Sequence, residues 1–195
     1  MNQQWSSFLS LLNSTTIDYF RDKVDDAINN ICFECDRFSE YQVNSILFLS
    51  KLIEIDKQMI EILENNDIYK KLWECMQRFP LHTSLHQIVI NFIKPLLSTE
   101  HLSKIITFYI PNLITAYKAR DARILSASSL YLLKKMYKYK EGKEIIESFQ
   151  EVSEELKEKF ELFHQSHQRS RLQSPSFAQW NLKHGFFADD KFGFI

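Results

Sequence analysis

Glycine is nearly missing from this chain. Only three occur in 195 residues, Gly142, Gly185 and Gly193. Hairpin turns and phosphate-cradling loops both draw on glycine for positive φ. The scarcity therefore argues against a β fold and against a glycine-rich nucleotide loop of the usual kinds. Cysteine is sparse and odd in number, with Cys32, Cys35 and Cys75. Such a set fits a reducing compartment better than a disulfide framework. No apolar run approaches the roughly 20 residues that a membrane helix needs. The N-terminus carries no cationic segment leading into an apolar core, the mark of a secretory signal. The expectation is a protein of the cytoplasm or nucleus that makes no membrane contact.

Net charge is also nearly absent, at −1, but it hides an asymmetry. Residues 1–100 carry 14 acidic and 9 basic side chains, and residues 101–195 carry 11 and 15. Lys118, Arg120, Arg123, Lys134, Lys135, Lys138, Lys140 and Lys143 cluster in the second half, and a run rich in glutamate follows from Glu144 to Glu161. A basic cluster invites a nucleic-acid reading. The acidic neighbours favour a solvated helix face instead. No nucleic-acid partner is expected.

What the chain does have is helical periodicity. Leu85, Ile88, Val89, Phe92, Ile93, Leu96 and Leu97 fall on one continuous stripe. Thr83 or Ser84 can cap its start, and Pro95 should kink or end it. A second stripe runs Ile145, Phe149, Val152, Leu156, Phe160, Phe163. Between 43 and 53, Ile46, Leu47, Phe48, Leu49, Leu52 and Ile53 cover nearly every face, which predicts a helix buried on several sides. The spacing predicts helices over 3–12, 15–36, 41–54, 57–64, 67–78, 84–97, 100–109, 111–118, 121–139 and 143–165, with Pro111 opening one of them.

Ile46, Ile88 and Leu130 lie 42 residues apart, as do Leu72, Ile114 and Leu156. A period near 42 matches armadillo and HEAT units, whose helical hairpins stack into a solenoid. An irregular bundle is the competing reading. The fold expected is all-α: an armadillo/HEAT-like right-handed superhelix of three to four repeats over residues 1–165. Residues 166–195 lose periodicity but keep Phe177, Trp180, Phe186, Phe187, Phe192 and Phe194, an aromatic-rich irregular tail.

Candidates for chemistry are few. His82 and His86 stand four apart, the spacing of a helical metal pair, but "HTSLH" has threonine where a zinc peptidase has its glutamate base. Cys32 and Cys35 form a CxxC with Phe33 and Glu34 between them at the end of a helix, unlike a redox pair that opens one. Cys75 with His82 or His86 could complete a zinc set only on paper. No serine lies in a GxSxG turn. No catalytic constellation, metal or cofactor is expected, and a binding module is favoured over an enzyme. In "RSRLQSPS", Arg171 precedes Ser174 by three and Pro175 follows it, a pattern that suits a phosphorylation site.

One stretch resembles a known family. SAPS-domain proteins, regulatory subunits of phosphatase-6-type Ser/Thr phosphatases, carry a run like Y-P-W-N-N-F-L-H-T-Q-V-E. Laid without gaps, residues 79–90 here read FPLHTSLHQIVI. The aromatic and proline at Phe79–Pro80, the pair Leu85–His86 and Val89 coincide; the paired asparagines are His82 and Thr83, and the glutamate is Ile90. The resemblance covers about residues 40–97. It implies a non-catalytic scaffold that binds a Ser/Thr phosphatase catalytic subunit, the alternative being an armadillo-type adaptor for other proteins. By the same resemblance His86 is a structural residue of a helix–turn–helix junction. Tyr117, Arg120 and Arg123, near one inter-helix turn, are candidate partner contacts, set against an ordinary solvated turn.

Overall fold

The structure is a computed structural model that describes residues 2–32, 37–119 and 122–173, with side chains over 6–32, 37–119 and 122–162. The described residues form ten α-helices and one 3-10 helix, and no strand. The chain divides into two compact units, Met1–Ile146 and Glu147–Ile195.

The first unit opens with α1 (Asn2–Leu11), a 3-10 helix (Ile17–Lys23) and α2 (Val24–Cys32). Then come α3 (Glu40–Ile55), the short α4 (Met59–Asn65), α5 (Ile68–Arg78), α6 (Thr83–Leu96), α7 (Leu102–Ala119) and α8 (Arg123–Met136). Their packing follows two rows. In one row α1 packs on α3, α3 on α6 and α6 on α8; in the other α2 packs on α5 and α5 on α7. Neighbours in sequence close hairpins between the rows: α2 with α3, α5 with α6, α7 with α8. Ile46, Ile88 and Leu130 land on α3, α6 and α8, consecutive members of one row.

Helix α3 is central, as its all-round apolar pattern predicts. Ile46, Phe48, Leu49, Leu52 and Ile53 are buried, and only Leu47 of that set is exposed. Its start is fixed by Gln42, whose side-chain oxygen accepts from the Ser39 backbone N–H at 3.0 Å. That contact satisfies one of the donors a helix leaves unpaired at its first turn.

Helix boundaries differ from the sequence expectation at three places. Pro111 opens no helix but sits inside α7, a single helix from Leu102 to Ala119. A proline inside a helix destabilises by about 3 kcal/mol or more. Here Ile105, Ile106, Tyr109 and Ile110 before it, and Leu113, Ile114 and Tyr117 after it, are all buried, which offsets that penalty. Thr107, whose carbonyl loses its partner to the proline ring, is exposed to water. The expected helix over 15–36 begins instead as the 3-10 helix. Its Arg21 reaches forward to Asp56 at 2.6 Å.

The expected helix 143–165 is two helices, α9 (Lys140–Ser148) and α10 (Gln150–Gln173). The start of α9 depends on Gly142, because a Cβ there would stand 2.2 Å from the Met136 carbonyl oxygen. Gly142 is the one glycine among the described residues, and the packing requires its missing side chain.

In the second unit, α10 runs on to Gln173, past the point near 165 where the apolar pattern fades. Val152, Ser153, Leu156 and Phe160 are buried along one stripe. Lys157 binds Glu154 at 3.0 Å and Glu147 at 3.5 Å. The aromatic tail from residue 174 lies outside the described residues.

Candidate functional site

The FPLH turn between α5 and α6 is where sequence interest and structure meet. His86 enters in the first turns of α6 and is 1% exposed. Its Nε2 stands 3.1 Å from the Phe79 carbonyl oxygen. Its Nδ1 stands 3.1 Å from Ser128 Oγ on α8. A carbonyl can only accept, so Nε2 carries the proton, and in the neutral ring Nδ1 accepts from the Ser128 hydroxyl. Burial pulls the imidazole below its ordinary pKa. The carbonyls of Phe79, Met76 and Ile124 oppose this without reversing it, and His82 adds to the lowering. The ring is therefore a neutral bracket with both nitrogens engaged.

The backbone of the same turn completes the junction. Pro80 accepts a hydrogen bond from the Leu125 N–H at 3.1 Å. Leu125 lies in the first turn of α8, where amides lack intrahelical partners, and the N-cap residue Ala122 has no side chain to supply one. The ring of Phe38, just ahead of α3, lies tilted at 5.7 Å from that of Phe79 and edge-on at 4.8 Å from that of His82. Val89 and Leu85 are fully buried beneath.

The cap of α6 differs from expectation. Neither Thr83 nor Ser84 serves; His82 is the N-cap, and its Nδ1 accepts from the Leu85 N–H at 3.1 Å. Thr83 and Ser84 are exposed. Imidazole can replace a hydroxyl here because its free nitrogen accepts as well as an oxygen does. Both histidines are thus spoken for by the fold. Among the described residues, no group of three His, Cys, Asp or Glu side chains gathers as metal ligands would. Cys75 is buried and Cys32 half-buried, with burial raising the Cys32 thiol above its ordinary pKa; Cys35 lies outside the described residues.

A second polar cluster was not singled out by sequence reasoning. Glu64, at the end of α4, accepts from Lys104 at 2.6 Å, from Tyr69 Oη at 2.9 Å and from His101 Nδ1 at 3.0 Å. Its side chain is only 7% exposed. Burial pushes the carboxyl up, but the Lys104 and Tyr69 hydrogen bonds and the nearby His101 outweigh it, so the acid sits below its ordinary range. Beneath it, Tyr109 donates to the Tyr69 carbonyl at 3.0 Å, and burial raises both phenols. A signal was present: Lys104 and Glu64 are 40 apart, as are Tyr109 and Tyr69, close to the apolar period.

The remaining candidates scatter. Tyr117 is buried, Arg123 is exposed at the first position of α8, and Arg120 lies outside the described residues, as does Ser174. Of the three proposed contacts, Arg123 is the one that the described residues leave open to a partner. No helix among the described residues is long and apolar enough to cross a membrane.

No family model, curated protein or solved structure matches this chain. Its function is therefore argued from geometry.

Proposed function

We propose that this chain is a non-catalytic α-solenoid scaffold that binds a Ser/Thr protein phosphatase catalytic subunit of the phosphatase-6 type. The observation that carries the solenoid is the spacing of bonds between successive members of each row. Lys51 donates to the Leu9 carbonyl across 42 residues, His86 meets Ser128 across 42, and Tyr109 donates to Tyr69 across 40. Contacts that recur at one separation are what stacked repeats produce, each unit touching the next. Three hairpins, α2/α3, α5/α6 and α7/α8, are the repeat units on this reading, in a right-handed superhelix.

Two features favour binding over catalysis. The most chemistry-bearing residues, His86 and Glu64, have their polar atoms engaged by neighbours that join helices. Stacked hairpins also present an extended face that suits a protein better than a small ligand. The choice of a phosphatase as partner rests on the resemblance over 40–97, centred on Phe79–Pro80 and Leu85–His86. Arg123, beside that junction on α8, is the proposed anchor; arginine is among the residues that dominate interfaces.

The test is a pull-down and calorimetric titration with a recombinant phosphatase-6-type catalytic subunit. Micromolar or tighter binding, weakened by Arg123→Ala with the helical circular dichroism unchanged, is expected. A well-folded chain that fails to bind would leave the adaptor for other proteins.

A further inference from the structure

Helix α4 belongs to neither row; it packs on α3 and α5. Its seven residues, Met59–Asn65, are fewer than an isolated helix needs to persist in water. No side-chain hydrogen bond caps its start, and its last turn holds Glu64 and no basic residue. A carboxylate there faces the negative pole of the helix, so its charge opposes α4 instead of supporting it. The turn that follows adds strain. Asp67 stands at φ 56°, in the left-handed region that disfavours a residue carrying a Cβ.

What holds Glu64 lies on other elements. Tyr69 Oη on α5 donates to it at 2.9 Å, His101 Nδ1 just ahead of α7 at 3.0 Å, and Lys104 in the first turn of α7 at 2.6 Å. At its leading end α4 is tied by Arg21, which bonds Asp56 at 2.6 Å and reaches Met59 Sδ at 3.4 Å. Between these ties Met59, Ile60 and Leu63 are buried. The rows are joined without α4. Tyr109 on α7 donates to the Tyr69 carbonyl on α5 at 3.0 Å, α2 packs on α5, and α3 packs on α6.

We propose that α4 is a strap that the Glu64 side chain clasps shut, and that it opens as a unit when the clasp is lost while both rows stay packed. A buried carboxylate without its donors is costly, and water replaces them once α4 lifts. Lifting also lets Asp67 leave its left-handed angle. Against this stands the burial of Met59, Ile60 and Leu63, which keeps the open state minor while Glu64 is held. The Arg21 tie to Asp56 lies where the chain leaves α3, so the strap turns about that end. Of the three donors only Lys104 is well exposed, its side chain at 70% against 10% for His101, with Tyr69 buried. The clasp is therefore reached from solution through Lys104. The opened strap presents three apolar side chains that the closed chain hides. This device rests on the contacts of Glu64 and not on the nature of the scaffold's partner.

Native-state hydrogen exchange on the whole chain, read by mass spectrometry, tests the strap. In the wild type, amides of residues 59–66 should exchange at least about tenfold faster than those of α3, α6 and α7. Their rates should also depend less on urea below the unfolding transition, because a local opening exposes little surface. Glu64→Gln keeps the size of the side chain and removes its charge. It should speed exchange over 59–66 by at least about tenfold, while α3, α6 and α7 stay at least about a hundredfold slower than an unstructured chain. Lys104→Gln, at an exposed position, should speed exchange over 59–66 by at least about threefold. Wild-type protection of α4 equal to that of the rows would overturn the proposal. So would a change under about twofold over 59–66 in either variant, or a loss of protection in Glu64→Gln that spreads to every helix.

Discussion

The two ends of the α6–α8 pair are built on opposite principles. At the starting end a neutral histidine, a serine hydroxyl and two backbone carbonyls satisfy one another, and His86 is 1% exposed. At the far end Lys135 is half-buried, its ammonium 5.0 Å from the Tyr131 ring centroid, and burial lowers its pKa. Polar groups taken out of water stabilise only when each finds a partner. The first end meets that condition inside the chain. Glu64, whose burial is matched by three donors, contrasts with Lys135, whose ammonium lies over the Tyr131 ring and whose pKa burial lowers.

Breaking the starting end should give the largest effect. His86→Ala removes a packed ring, takes one of two donors from the Phe79 carbonyl, which keeps the His82 N–H, and removes the Ser128 hydroxyl's contact to α6. A loss of about 3 kcal/mol is expected in urea unfolding. A change under about 0.5 kcal/mol would show that the junction does not hold the two helices together.

Gly142→Ala comes next and probes the far end. The added methyl would meet the Met136 carbonyl, the last residue of α8, at 2.2 Å. Either α9 or the end of α8 must shift. A cost of about 2 kcal/mol follows by thermal unfolding, together with faster amide exchange at the start of α9.

The pH dependence sharpens the comparison because the groups lose their contributions in different windows. The folded pKa of His86 lies below its ordinary value, so acid protonates the unfolded chain first. Stability should begin to fall as the pH drops through about 6.5. The folded pKa of Glu64 is also lowered. Its contribution is complete above about 4.5 and is lost as pH falls further, through the folded value. Urea midpoints between pH 8 and 3 should therefore decline in two stages, and His86→Leu should abolish the upper one. A single stage in the wild-type chain would contradict the neutral bracket.

The smallest effect has the opposite sign. Lys135→Met keeps an unbranched stem and removes a charge that its neighbours repel. It should stabilise the fold by about 1 kcal/mol or less, because part of the ammonium remains in water and screening weakens the repulsion. A Lys135→Met chain less stable than the wild type by more than about 0.5 kcal/mol in thermal unfolding would contradict this.

Much of this was legible from residue order, and the parts that were not share a cause. Scarce glycine and the 3.6-residue apolar pattern determine an all-helical chain, since both act within a few residues of sequence. The stripe Leu85, Val89, Phe92, Ile93, Leu96 is buried as its spacing demands. The proline rule, equally local, failed at Pro111 because α7 is held by side chains buried on either side of the break. The cap of α6 went to His82 rather than to a hydroxyl, an outcome set by where the imidazole lies as the chain leaves α5. That His86 faces Ser128 and that Glu64 collects Lys104 and His101 depended on which helices became neighbours. Those pairings join residues about 40 apart, where local propensity carries no information and only the burial of one helix against another sets the register.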